Sequence, residues 1–120
     1  MKLDHINIRT NELETVKDSL VDLLHLEVGA RPAFKFPGYW LYSEGHPVVH
    51  LTVRDNDPGI TTGALDHVAF KDDNCEGLTG RLDQRDIAYD LRIVPGSGVR
   101  QVFFKITHDV MIEVDFDPAG

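Results

Sequence analysis

Four side chains of this sequence, His5, His50, His67 and Glu113, are of the types that hold a divalent metal ion and move protons. Imidazole and carboxylate donors together suit Zn, Ni, Fe(II), Mn or Co. A set of two histidines and one carboxylate leaves coordination positions open for substrate or oxygen, which is ligation for catalysis and not for structure. The spacing says more than the types. Leu-Asp-His occurs at 3–5 and again at 65–67, an offset of 67 − 5 = 62, while His50 in VVHLTV stands to Glu113 in VMIEVDF at 113 − 50 = 63. Offsets agreeing to one residue at both ends of a module mark an internal repeat. Any one of these histidines alone reads better as a satisfied side chain on a half-exposed strand. At repeat-matched positions the four together read as a single site for one divalent ion, with Glu113 and His50 also the candidates for acid–base chemistry.

The elements that must position them are set by periodicity. LDHINIRT at 3–10 alternates, with Ile6 and Ile8 on one face and His5, Asn7 and Arg9 on the other, so it predicts a half-buried strand. Asn11 with Glu14 three residues on predicts a capping box, and Leu13, Val16, Leu20, Leu23 and Leu24 predict a helix over about 12–25. Gly29, Pro32 and Pro37-Gly38 divide the next stretch of chain into strands near 27–34, 39–44 and 47–55. After a turn-forming stretch at 55–63 the order recurs: LDHVAFKD, a helical pattern near 75–87, and strands near 89–94, 99–106 and 110–116. His50 shares a strand face with Val48, Thr52 and Arg54, opposite Val49, Leu51 and Val53. Glu113 shares one with Met111 and Asp115, opposite Ile112, Val114 and Phe116. The apolar faces suit packing against a helix, which leaves the titratable faces for a cleft. The expected architecture is α+β: two tandem βαβββ modules, about 1–56 and 62–118 of a single domain spanning 1–120, forming a curved, partly closed mixed sheet around a metal cleft with the helices outside.

Composition narrows the partners. A net charge of −8 and the lack of any Lys/Arg cluster argue against nucleic acid and membrane surfaces, and Met1-Lys2 leads straight into the alternating segment, so the protein is expected in the cytoplasm. The single cysteine, Cys75, lies among Asp72, Asp73 and Glu76, which raise a thiol pKa and make a nucleophile unfavourable. His25 at a helix end, and His46 and His108 in turns, are expected at the surface. Arg9 and Asn7 on the His5 face, Arg100 and Gln101 near the cleft mouth, and an aromatic wall from Trp40 and Tyr42 are the candidates for binding a small oxygenated substrate.

In LDHINIRT, RPAFKFPGYWLYSEGHPVVHL, LDHVAF and GVRQVFFKITHDVMIEV the sequence resembles the vicinal oxygen chelate superfamily, which includes glyoxalase I, extradiol dioxygenases, fosfomycin-modifying enzymes and metal-free bleomycin-binding proteins. The resemblance covers nearly the whole chain. It implies that His5 and His67 are first-strand metal ligands and Glu113 the last-strand carboxylate ligand. His50 falls where glyoxalase-like members often carry a Glu or Gln ligand, so it is either a ligand or a free acid–base group. ITHDV at 106–110 replaces the glycine-containing turn usual before the Glu strand, and Arg9 resembles the arginine with which glyoxalase I binds a glutathione carboxylate. The implied activity is that of a glyoxalase-like lyase or isomerase. The alternatives are an extradiol-type Fe(II) dioxygenase, with His50 as its acid–base residue, and a non-catalytic drug-binding protein, against which the intact His5, His67 and Glu113 argue. A homodimer is implied as well.

Overall fold

The structure is a computed structural model, and it describes residues 3–53, 62 and 65–119. The chain divides into two compact units, Met1–Gly59 and Ile60–Gly120. In the first, β1 (Ile6–Arg9), α1 (Leu13–Leu24), β2 (Glu27–Gly29), β3 (Gly38–Ser43) and β4 (His46–Thr52) follow one another; in the second, β5 (Val68–Lys71), α2 (Cys75–Gln84), β6 (Tyr89–Ile93), β7 (Arg100–Lys105) and β8 (Met111–Phe116). Each unit holds a mixed four-stranded sheet, ordered β1-β4-β3-β2 in one and β5-β8-β7-β6 in the other. This is an α+β fold of two βαβββ modules.

The two sheets match in register around His50 and Glu113. Asn7 of β1 and Trp40 of β3 flank His50 of β4, and Ala69 of β5 and Phe103 of β7 flank Glu113 of β8 in the same parallel and antiparallel registers. Even the hydrogen bonds that end the first strands correspond: the Thr10 amide donates to the Thr52 carbonyl and the Asp72 amide to the Asp115 carbonyl. In each unit the helix covers one sheet face. Val16, Leu20 and Leu23 of α1 are buried with Ile8, Leu41, Val49 and Leu51, and Leu78 and Leu82 of α2 with Val102, Phe104, Ile112, Val114 and Phe116. Each such side chain contributes roughly 1.5–3 kcal/mol when fully buried. No helix among the described residues is long and apolar enough to cross a membrane.

Several local expectations are corrected. Asn11 does not cap α1: Glu12 occupies the cap position, its side chain makes no capping bond to the helix, and the Glu12 amide donates to the Thr10 hydroxyl. Glu14 is engaged elsewhere, accepting from the Tyr39 hydroxyl at 2.6 Å, so no capping box forms. The cap that does form is Asn74 on α2, whose side chain accepts from the Gly77 amide. The strand expected over 27–34 stops at Gly29, because Pro32 has no N–H for a ladder. His5 and His67 stand just before their strands, not within them. The expected turn at 55–63 lies, Thr62 apart, outside the described residues, as does Arg54. His46 begins β4, and His108 is half-buried. His108 and Asp109 take φ of 45° and 65° in the turn before β8, so two non-glycine residues bear the left-handed backbone there and Glu113 still pairs with Phe103.

Asn74→Ala is expected to cost about 1 kcal/mol in urea unfolding, and Asn11→Ala less than about 0.5 kcal/mol. Equal losses would contradict this assignment of the caps.

Candidate functional site

His50 sits in the middle of the first sheet because Val49 and Leu51, its neighbours in β4, turn to the helix side. Only 8% of its surface is exposed. Its ring stacks on Trp40 at 4.0 Å and on His5 at 3.8 Å, nearly parallel to both, and its Nε2 is buried with no hydrogen-bond partner. Burial, followed by the neighbouring His5, pulls its pKa below the ordinary histidine value. His50 thus favours its neutral form and has one ring nitrogen, Nε2, without a partner. His5 is held by its neighbour in sequence, with Nδ1 at 2.7 Å from Asp4 Oδ2. Asp4 also meets His46, whose Nε2 lies 2.9 Å from the Asp4 carbonyl oxygen. Asn7 accepts a hydrogen bond from the Thr52 hydroxyl at 3.1 Å. A cavity of about 370 Å³ opens on this face, with Asn7, Arg9, Trp40 and His50 in its wall. Tyr42, expected in the aromatic wall, instead donates to the Ala30 carbonyl.

The second unit repeats the plan with different chemistry. His67 Nδ1 lies 2.7 Å from Asp66 Oδ2, as His5 lies from Asp4, while its Nε2 lies 3.2 Å from Glu113 Oε1. Glu113 is 7% exposed and accepts from Gln101 Nε2 at 3.3 Å. Burial raises its pKa, and Asp115, two residues along the same strand face, raises it further by hydrogen bonding and charge. His67 is also raised, first by the hydrogen bond to Asp66, with Glu113 adding to it. Phe103 presents an edge-on ring 6.1 Å from His67.

Of the residues expected at the site, His5, His50, Asn7, Arg9 and Trp40 thus share one face of the first unit, and His67, Glu113 and Gln101 gather in the second. Arg100 does not join them. Adjacent strand residues point to opposite faces, and Arg100 takes the helix side, where it donates to Glu76 Oε1 at 3.1 Å and to the Asp117 carbonyl at 3.0 Å. Cys75 is buried, and burial, not its acidic neighbours, is the main reason its thiol pKa is raised. Asp4, Asp66 and Phe103 were not singled out from the sequence. The two aspartates belong to the repeated Leu-Asp-His, and Phe103 follows Trp40 by 103 − 40 = 63 residues, so the repeat itself carried the signal.

For a metal ion the donor chemistry is suitable: a carboxylate paired with an imidazole in one unit, an unpartnered imidazole nitrogen in the other, and two histidines whose far nitrogens are fixed by aspartate. The carboxylate–histidine pairing orients the ring and raises its basicity as a ligand. Among the described residues no three His, Cys, Asp or Glu stand together as a metal cluster.

No protein-family model matches the chain, and no curated protein sequence matches it. Solved structures do. A glyoxylase/bleomycin resistance protein/dioxygenase domain from Frankia sp. EAN1pec aligns with a TM-score of 0.77 at 16% identity, covering 98% of this chain and 98% of its own. A glyoxalase family protein from Enterococcus faecalis aligns at 0.71 and 21% identity over 95% and 96%. The fosfomycin resistance protein FosX from Listeria monocytogenes, in a mutant form complexed with Mn(II) and 1S,2S-dihydroxypropylphosphonic acid, aligns at 0.73 and 17% identity over 94% and 90%. The chain shares the fold of these proteins.

Asp66→Asn is expected to lower the His67 pKa in an NMR titration, because it removes the main cause of the upward shift. A histidine with a raised folded-state pKa adds stability below its unfolded value and loses it as pH rises through the folded one. Asp66→Asn should therefore cost a little stability near pH 6 and less near pH 9. An unchanged titration would show that Asp66 does not hold the ring.

Proposed function

We propose that this protein is a divalent-metal-dependent, glyoxalase-like lyase or isomerase, acting on a small carbonyl compound with two neighbouring oxygens, and that His5, His50, His67 and Glu113 hold its one metal ion. One observation carries the reading: His50 and Glu113 occupy equivalent places in two matched sheets, each near a histidine that its own preceding aspartate orients. The fold shared with glyoxalase family proteins and with a Mn(II)-bound FosX supports it.

The bound ion, Zn, Ni, Fe(II), Mn or Co, supplies a Lewis acid that stabilises negative charge on the substrate oxygens. The remaining work falls to the protein. Glu113, buried beside Asp115, has the raised proton affinity that a general base needs in order to take a proton next to a carbonyl and return it. Gln101 fixes its Oε2, leaving Oε1 toward His67. Asn7, Arg9 and Trp40, in the cavity wall beside His50, bind and orient the substrate. A second reading, an extradiol-type Fe(II) dioxygenase, rests on the unpartnered Nε2 of His50 and its lowered pKa, which suit an acid–base residue beside His5, His67 and Glu113 as ligands.

The purified protein is expected to hold about one divalent ion per chain, and His67→Ala to lose most of it under chelator competition. Full retention by His67→Ala would refute the shared site. His50→Gln separates the two readings, since an amide oxygen can replace a ligand but cannot exchange a proton near neutral pH. Weaker metal binding with turnover restored at saturating metal supports ligation, while unchanged binding with turnover abolished supports the dioxygenase. The protein is expected to be a homodimer, because the end strands β2 and β6 expose Val28, Leu91 and Ile93 for a second copy to cover. Light scattering that finds a monomer throughout the micromolar range would contradict it.

A further inference from the structure

The wall of the cavity on the first sheet carries a charge at odds with the chain as a whole. The protein has 20 acidic residues against 12 Lys and Arg, yet among the described residues this wall contains Arg9 and Arg31 and no acidic side chain. Several other cations are paired: Lys17 with Glu14 and Asp18, Lys71 with Asp117, Arg92 with Asp90, Arg100 with Glu76, Lys105 with Asp109. Neither Arg9 nor Arg31 has a carboxylate partner among the described residues.

Arg31 is held in place by contacts that do not neutralise it. Its Nη2 donates to the Phe36 carbonyl at 2.9 Å, and the guanidinium carbon lies 5.1 Å from the ring centres of both Phe34 and Phe36. Gly38 leaves room for it, since a Cβ there would stand 2.8 Å from Nη2. Its Nε is buried with no partner. A positioned guanidinium lacking a counterion, with N–H groups left over, is matched by a planar two-oxygen anion, which arginine binds through paired N–H groups. Beside the two arginines the wall carries three aromatic side chains, Trp40, Phe34 and Phe36, and the uncharged polar Asn7 and Thr52 with His50. At about 370 Å³ the cavity is at the small end of the range for ligand pockets, about 300–1,000 Å³.

We propose that this cavity is a carboxylate site, and that the substrate is a small aromatic acid whose carboxylate is bound by Arg31 and Arg9 and whose ring packs against Trp40. That the bound acid is a substrate rests on the function proposed above. The carboxylate site does not, because none of its binding groups needs a metal.

Trp40 is the only tryptophan, so its fluorescence reports directly on the cavity. The test is a titration of the full chain in EDTA with benzoate, with benzamide as the neutral counterpart and with inorganic phosphate. Benzoate is expected to change the emission saturably, benzamide to bind at least about tenfold more weakly, and phosphate not to compete at equal concentration. Arg9→Gln, at an exposed strand end, and Arg31→Gln are each expected to weaken benzoate about tenfold or more without changing benzamide. Arg9→Gln serves as the check should Arg31→Gln disturb the loop. The proposal is overturned if benzoate gives no saturable change, if benzoate and benzamide bind alike, if phosphate competes equally, or if both variants bind benzoate as the wild type does. Metal content is measured separately. Benzoate selectivity in a protein that holds no metal keeps this site and removes the metal-dependent reaction, and metal binding without benzoate selectivity does the reverse.

Discussion

A strand has two faces, and in β4 and β8 only one of them can meet a helix. Val49 and Leu51 must be buried under α1, and Ile112, Val114 and Phe116 under α2, so His50 and Glu113 necessarily face the other way. A slip of one residue in either register would drive an imidazole or a carboxylate into an apolar layer, at a cost of several kcal/mol for an unpaired charge. The same apolar contacts that hold each unit together thus aim its chemical groups. Flanking positions are set by the same registers, which put Trp40 beside His50 and Phe103 beside Glu113.

The two halves share a scaffold and differ in charge. In the first, burial and then the neighbouring His5 lower the His50 pKa, and its Nε2 is buried without a partner. In the second, the nearby carboxylates favour the proton on His67, and Glu113 is itself pushed toward protonation by burial and Asp115. The aspartate before each first-strand histidine is the shared device, fixing Nδ1 so that Nε2 is the nitrogen on offer.

Most of this was legible in the sequence, because period-two alternation and a repeat of 62 to 63 residues depend only on local geometry and duplication. They gave the element order, both helices, the strand faces, and His5, His50, His67 and Glu113 as the residues to examine. The expectations that failed depend on which of several competing partners a polar side chain finds. Glu14 bonds Tyr39, 25 residues away in sequence, in place of capping its own helix, and Arg100 is drawn to Glu76 across the helix–sheet layer. Those choices are made by tertiary proximity, which a local pattern does not contain. The stacking of His5, His50 and Trp40 and the unpaired guanidinium of Arg31 belong to the same class. The sequence determined which faces are apolar and which are chemical; the tertiary structure alone decided which polar groups are satisfied, because satisfaction depends on neighbours brought together from distant parts of the chain.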